Sequence, residues 1–75
     1  MAFAIRHNPE DWIIQIFSAK SAGKGGVMRR SVAGVDHEIG RERFIAEVRS
    51  RGFHLIEGGG QFVVICNPAP IRLIV

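Results

Sequence analysis

Three histidines and one cysteine, His7, His37, His54 and Cys66, are the side chains best suited to metal ligation or nucleophilic chemistry in this sequence. No two of them stand at a metal-ligand spacing, so no metal is expected. His37, between Asp36 and Glu38, reads as a polar surface residue near a helix start. His54 alternates with Phe53 and Leu55, which turns it away from a core that those neighbours enter. Cys66, beside Ile65 in an apolar run, reads as a small buried hydrophobe. As the only cysteine it allows no intrachain disulfide, and a lone thiol fits a reducing compartment.

The loop from Ser18 to Gly26 contains Gly23 and Lys24 and invites a phosphate-binding reading. It lacks the first glycine of G-x-x-x-x-G-K-[ST], has Gly25 where a hydroxyl would hold magnesium, and follows a helical pattern rather than a strand. A nucleotide site is therefore rejected, no cofactor is expected, and no small-molecule substrate is identified. What remains is charge: ten Lys and Arg against seven Asp and Glu give a net charge of +3 and a pI near 10.0, a balance that favours anionic partners.

These side chains have to be positioned by a chain of 75 residues, enough for one domain with one core. With 47% hydrophobic and 23% charged residues it lies near the globular average, so it is expected to fold. No apolar run approaches the roughly 18 residues of a membrane span. Arg6 and His7 stand where a signal peptide has its apolar stretch, so a cytoplasmic location is expected.

Asn8, Pro9, Glu10 and Asp11 form the clearest local signal: a capping side chain, a proline suited to the first helical position, and two carboxylates facing the positive end of the macrodipole. A helix is predicted from there, with Trp12, Ile13, Ile16 and Phe17 on one face and a stop at Gly25 and Gly26. A strand over Trp12 to Phe17 competes, because these residues also favour sheet. It would give a ββαββ single-sheet layer with one helix.

Val27 to Arg30 reads as a short strand, and Ser31 as the cap of a brief helix carrying Val32, Val35 and Ile39, weakened by Gly34. Gly40 interrupts, and a stronger helix runs from Arg41 to about Arg51 with Gly52 as its stop; Glu47 and Arg51 have the favourable i, i+4 spacing. Phe53 to Glu57 and Gln61 to Cys66, joined through Gly58, Gly59 and Gly60, predict a β-hairpin. Ile71 to Val75 is expected to add a short strand or to pack over the core.

The order helix, short strand, two helices, β-hairpin, together with the stretch RRSVAGVDHEIGRERFIAEVRSRGFHLI, resembles the winged helix-turn-helix family. The resemblance implies a small α+β domain that binds nucleic acid, DNA in particular, as a small regulator, through Arg41 to Arg51 as the recognition helix, with Gly58 to Gly60 as the wing tip. With Phe44, Ile45 and Val48 inward, Arg43, Ala46, Glu47 and Ser50 are expected outward, flanked by Glu42 and Arg49. Arg43 would reach guanine, Glu47 would accept from cytosine, and Ala46 would touch a thymine methyl. Arg29, Arg30, Arg41 and Arg49 would hold phosphates. The wing departs from the family in having bare glycine beside Glu57 instead of Lys or Arg, and the apolar spacing of the second helix is irregular.

Phe44 to Ile65 also resembles part of the HicA-type messenger-RNA interferases, whose hairpin carries a catalytic histidine after a glycine and a serine. Here Gly59 and Gly60 precede Gln61, which is no general acid or base, so no enzyme is expected. The alternative to nucleic-acid binding is a homodimeric protein-interaction module without catalysis. Phe62 to Cys66 is apolar on both sides of its strand, and one helical layer covers only one of them.

Overall fold

The computed structural model describes residues 8–75, apart from the side chain of Ser21. His7 and Arg6 lie outside the described residues. The first helix, α1, spans Pro9–Phe17. The Asn8 side chain accepts a hydrogen bond from the Asp11 amide at 2.9 Å, and Pro9 occupies the first turn with Glu10 and Asp11. That cap satisfies an amide which an extended chain would leave to a neighbouring strand. Residues 9–17 are therefore not a strand, and the ββαββ layer is excluded. Ile13 and Ile16 are buried, with Trp12 and Phe17 half-buried beside them.

The polar stretch after α1 is more ordered than its composition predicts. It forms a one-turn helix, α2, over Lys20–Gly23, which tucks Ala22 into the core. Strand β1 (Val27–Ser31) follows, and Ser31 Oγ accepts from the Gly34 amide at 2.9 Å to start α3 (Val32–Glu38). Gly40 has φ 85° and ψ 156°, a backbone state essentially closed to residues with a side chain. It turns the chain into α4 (Arg41–Ser50). Strands β2 (His54–Gly58) and β3 (Gln61–Ile65) are joined by Gly59 and Gly60, with φ of 58° and 74°. Positive φ at both central residues is the requirement of the type I′ turn, whose twist matches a two-residue hairpin.

The sheet is antiparallel throughout, in the order β1-β3-β2. Register places Met28, Val64 and Leu55 in one row, and Arg30, Phe62 and Glu57 in the next, on the face that the helices cover. There Val35, Phe44, Phe62 and Val64 are at most 1% exposed and Val48 is 2% exposed. Phe44 lies at the centre of this packing, its ring 5.2 Å from Phe62, 6.1 Å from Trp12 and 6.3 Å from Phe17. Cys66, beyond β3, is buried, and its amide continues the pairing with the Gly26 carbonyl at 2.8 Å. The molecule is thus a small α+β domain with one helical layer on one face of a three-stranded sheet.

Residues 71–75 form neither a strand nor a cover for the core, contrary to the expectation from their composition. Leu73 is 92% exposed and Ile74 76%. Among the described residues no helix is long and apolar enough to cross a membrane.

Candidate nucleic-acid interface

The α4 helix buries Phe44 and Val48, while Ile45 is only half-buried. Its inward direction is consequently centred between Phe44 and Val48 rather than shifted toward Ile45, and this rotates the opposite side. Glu42, Ala46, Arg49 and Ser50 form the exposed ridge, and Arg43 and Glu47 turn to a flank. Ala46 and Ser50 are outward as the sequence predicts; Arg43 and Glu47 are half-buried instead.

A chain of charges holds that flank. Arg43 donates from Nε to Glu47 and from Nη2 to Glu10 of α1, both at 2.8 Å. Arg51 donates to the other Glu47 oxygen at 2.6 Å and to its backbone carbonyl at 2.9 Å, with its guanidinium 4.0 Å from the centre of the Phe17 ring. Hydrogen bonds from Arg51 and then Arg43 hold the Glu47 carboxyl below the usual carboxylate range, against a smaller opposing effect of burial. The same contacts, that with Glu10 first, raise the Arg43 guanidinium above its already high ordinary value. Ser50 Oγ donates back to the Glu47 carbonyl at 3.0 Å, so it caps the helix end as well as lining the ridge.

Arg41 makes a second, separate clamp. Its two Nη atoms donate to both oxygens of Glu57 at 2.9 and 2.8 Å, and its guanidinium lies 5.1 Å from the centre of the Phe62 ring. The bidentate pair lowers the Glu57 carboxyl and raises the Arg41 guanidinium, mainly through these hydrogen bonds. Glu57, which sequence reasoning marks only as an acidic neighbour of a bare wing, is thereby the residue that ties the hairpin to the first turn of α4.

The remaining candidates lie on β1, the strand at the opposite edge of the sheet from β2. Arg30 shares the row of Phe62 and Glu57 and donates to the Arg29 carbonyl at 2.7 Å. Arg29 pairs with Val63 in the neighbouring row, on the face away from the helices. The structure therefore brings Arg41, Arg43, Glu47, Arg49 and Ser50 together on one helix, places Arg30 at the hairpin end of the same sheet face, and sets Arg29 on the other face. Arg49 is the one α4 arginine that makes no ion pair among the described residues. Between α4 and β2 runs an open groove of about 570 Å³, with Ile45, Val48, Leu55 and Phe62 on its floor and Arg41 and Arg49 among its lining.

The other chemistry-bearing residues stay apart. Among the described residues no three of His, Cys, Asp and Glu gather into a metal site. Burial raises the Cys66 thiol above its ordinary value, which lowers its thiolate fraction. Gln61 faces Gly58 across the hairpin, whereas His54 pairs with Ile65, about 13 Å away along the strands. His54 Nε2 is 2.7 Å from the Ala69 carbonyl oxygen, which can only accept, so this nitrogen carries the proton. Lys20 and Lys24 are exposed on α2 and its cap, without the glycine cradle of a phosphate loop. Comparison with family models, with curated proteins and with solved structures finds no match to this chain.

Proposed function

We propose that the chain is a winged-helix domain that binds duplex DNA, with α4 as the helix presented to the major groove. The observation that carries this reading is the exposed ridge of Glu42, Ala46, Arg49 and Ser50 on a helix that follows another across the Ile39 and Gly40 turn. The element order and the β1-β3-β2 sheet agree with that architecture, and the Arg41–Glu57 clamp holds the hairpin beside the helix as a wing.

The rotation of α4 changes the division of labour. Arg49, exposed and without an ion pair among the described residues, is the residue able to meet a phosphate or a guanine edge, and Ala46 can touch a thymine methyl. Arg43 and Glu47, held by each other and by Glu10 and Arg51, fix the helix against α1 and reach DNA only if those bonds open. Arg30 stands toward the hairpin end as a backbone contact, Arg41 beside it reaches a phosphate only if its pair with Glu57 opens, and Arg29 is remote from them on the far sheet face. Few free cations on the ridge mean a modest phosphate count, so the affinity should depend on salt with a shallow slope, close to 0.9 per phosphate neutralised.

Fluorescence anisotropy of a labelled duplex at two salt concentrations tests this. Binding at low salt that weakens as salt rises is expected, and Arg49→Ala should reduce the slope by about 1. Arg29→Ala should leave binding unchanged. No binding at low salt would end the reading.

A further inference from the structure

Three arginines on α4 and its C-terminal cap, Arg41, Arg43 and Arg51, are held by carboxylates, and the three pairings differ in how readily they open. Arg41 gives both of its Nη donors to Glu57, so parting that pair breaks two bonds and unties the hairpin. Arg51 is fixed by the Glu47 carboxylate, by the Glu47 carbonyl and by the Phe17 ring. Arg43 is the loosest, with one bond from Nε to Glu47 and one from Nη2 to Glu10. Glu10 is 65% exposed and returns to water when Arg43 leaves, while Glu47, the least exposed of these carboxylates, keeps Arg51 at 2.6 Å. Withdrawal of Arg43 therefore strands no buried charge.

The base of the Arg43 side chain already belongs to the ridge. Arg43 stands at the i, i+3 and i, i+7 spacings from Ala46 and Ser50, one helical stripe, and it lies in the first turn of α4, the end that a helix docked in the major groove brings to the DNA. Only its guanidinium is drawn aside, toward α1. A carboxylate and a phosphate present the same kind of oxygen pair to a guanidinium, so the two compete for one set of donors. We propose that Glu10 is a positioning residue for DNA binding, an internal competitor of the phosphate that withholds Arg43 from the α4 surface until a duplex displaces it. This role rests on the reading of α4 as the DNA-facing helix. The exchange is within reach of a polyanion because an ion pair this exposed is weak and is screened by salt.

Anisotropy of a labelled mixed-sequence duplex at low salt, measured on the full chain and its variants, tests this through a double-mutant cycle. Glu10→Ala should tighten binding by up to about fivefold, the span of an exposed ion pair. Asp11→Asn removes the neighbouring exposed charge without touching Arg43, and should tighten binding less. Against an Arg43→Gln background, Glu10→Ala should gain no more than Asp11→Asn does. In the unsubstituted chain the Arg43 Nε–H resonance should move as duplex is added, a response that a purely structural bond between α1 and α4 would not give. A Glu10→Ala gain that survives Arg43→Gln, a gain no larger than that of Asp11→Asn, or a stationary Arg43 resonance each overturns the role of Glu10 and leaves DNA binding standing. Failure of every one of these chains to bind the duplex overturns both.

Discussion

Glu47 is the most heavily engaged side chain at the candidate site, bound by Arg43, by Arg51, and through Arg43 to Glu10 of another helix. Its pairing with Arg51 is legible in the sequence from the i, i+4 spacing. The bond between Glu10 and Arg43 is not, because it joins residues 33 apart that only the packing of α1 against α4 brings together. The sequence pattern likewise names Arg43 as an outward reader, and only the depth of Ile45 shows that the helix is rotated. A carboxyl whose native value is lowered contributes stability that is present above its unfolded value, roughly 4.3, and is lost as pH falls through the native one. Glu47→Gln should therefore be less stable than the parent in urea at pH 7, and the gap should be smaller at about pH 3, below the unfolded value of roughly 4.3, where the unfolded parent already binds the proton. A gap of equal size at both pH values would mean that Glu47 acts through packing and not charge.

At the scale of elements, the segments that announce themselves carry their own punctuation. Asn8 and Pro9 start α1, Ser31 starts α3, and Gly59 and Gly60 close the hairpin, each by a local rule that needs no tertiary partner. The single turn of α2 has no such signal, and it forms because Ala22 has a core to enter. The 71–75 segment misleads in the opposite sense: its composition favours a strand, but within one copy no edge takes it up. Gly40 tests whether the α3–α4 turn is the fixed point of the domain. A side chain there would meet no atom within 4 Å, so the cost of Gly40→Ala is one of backbone conformation alone. A loss of about 1–3 kcal/mol is expected in chemical denaturation. A neutral result would show that the turn relaxes into a conformation open to other residues.

The whole molecule presents two unlike surfaces. One side of the helical layer offers α4, where Arg41, Arg43 and Glu47 are held in pairs and the ridge charges Glu42 and Arg49 make no ion pair among the described residues, and the far sheet face offers an apolar groove. Fold class is legible in the sequence because the periodicities of Phe44 to Val48 and of Phe62 to Val64 each define a buried side. The surface is less legible, because which arginines remain free depends on ion pairs such as Arg41–Glu57 that link separate elements. The overall net charge of +3 therefore overstates what α4 can offer a polyanion. Titration of a nitrogen-15 labelled sample with duplex DNA, followed by amide chemical shifts, probes the central claim most directly. Docking of α4 in the major groove predicts the largest shifts at Glu42, Ala46, Arg49 and Ser50, with smaller ones at the hairpin turn. Shifts confined to Val27, Ile56, Val63 and Ile65, or none at all, would contradict it.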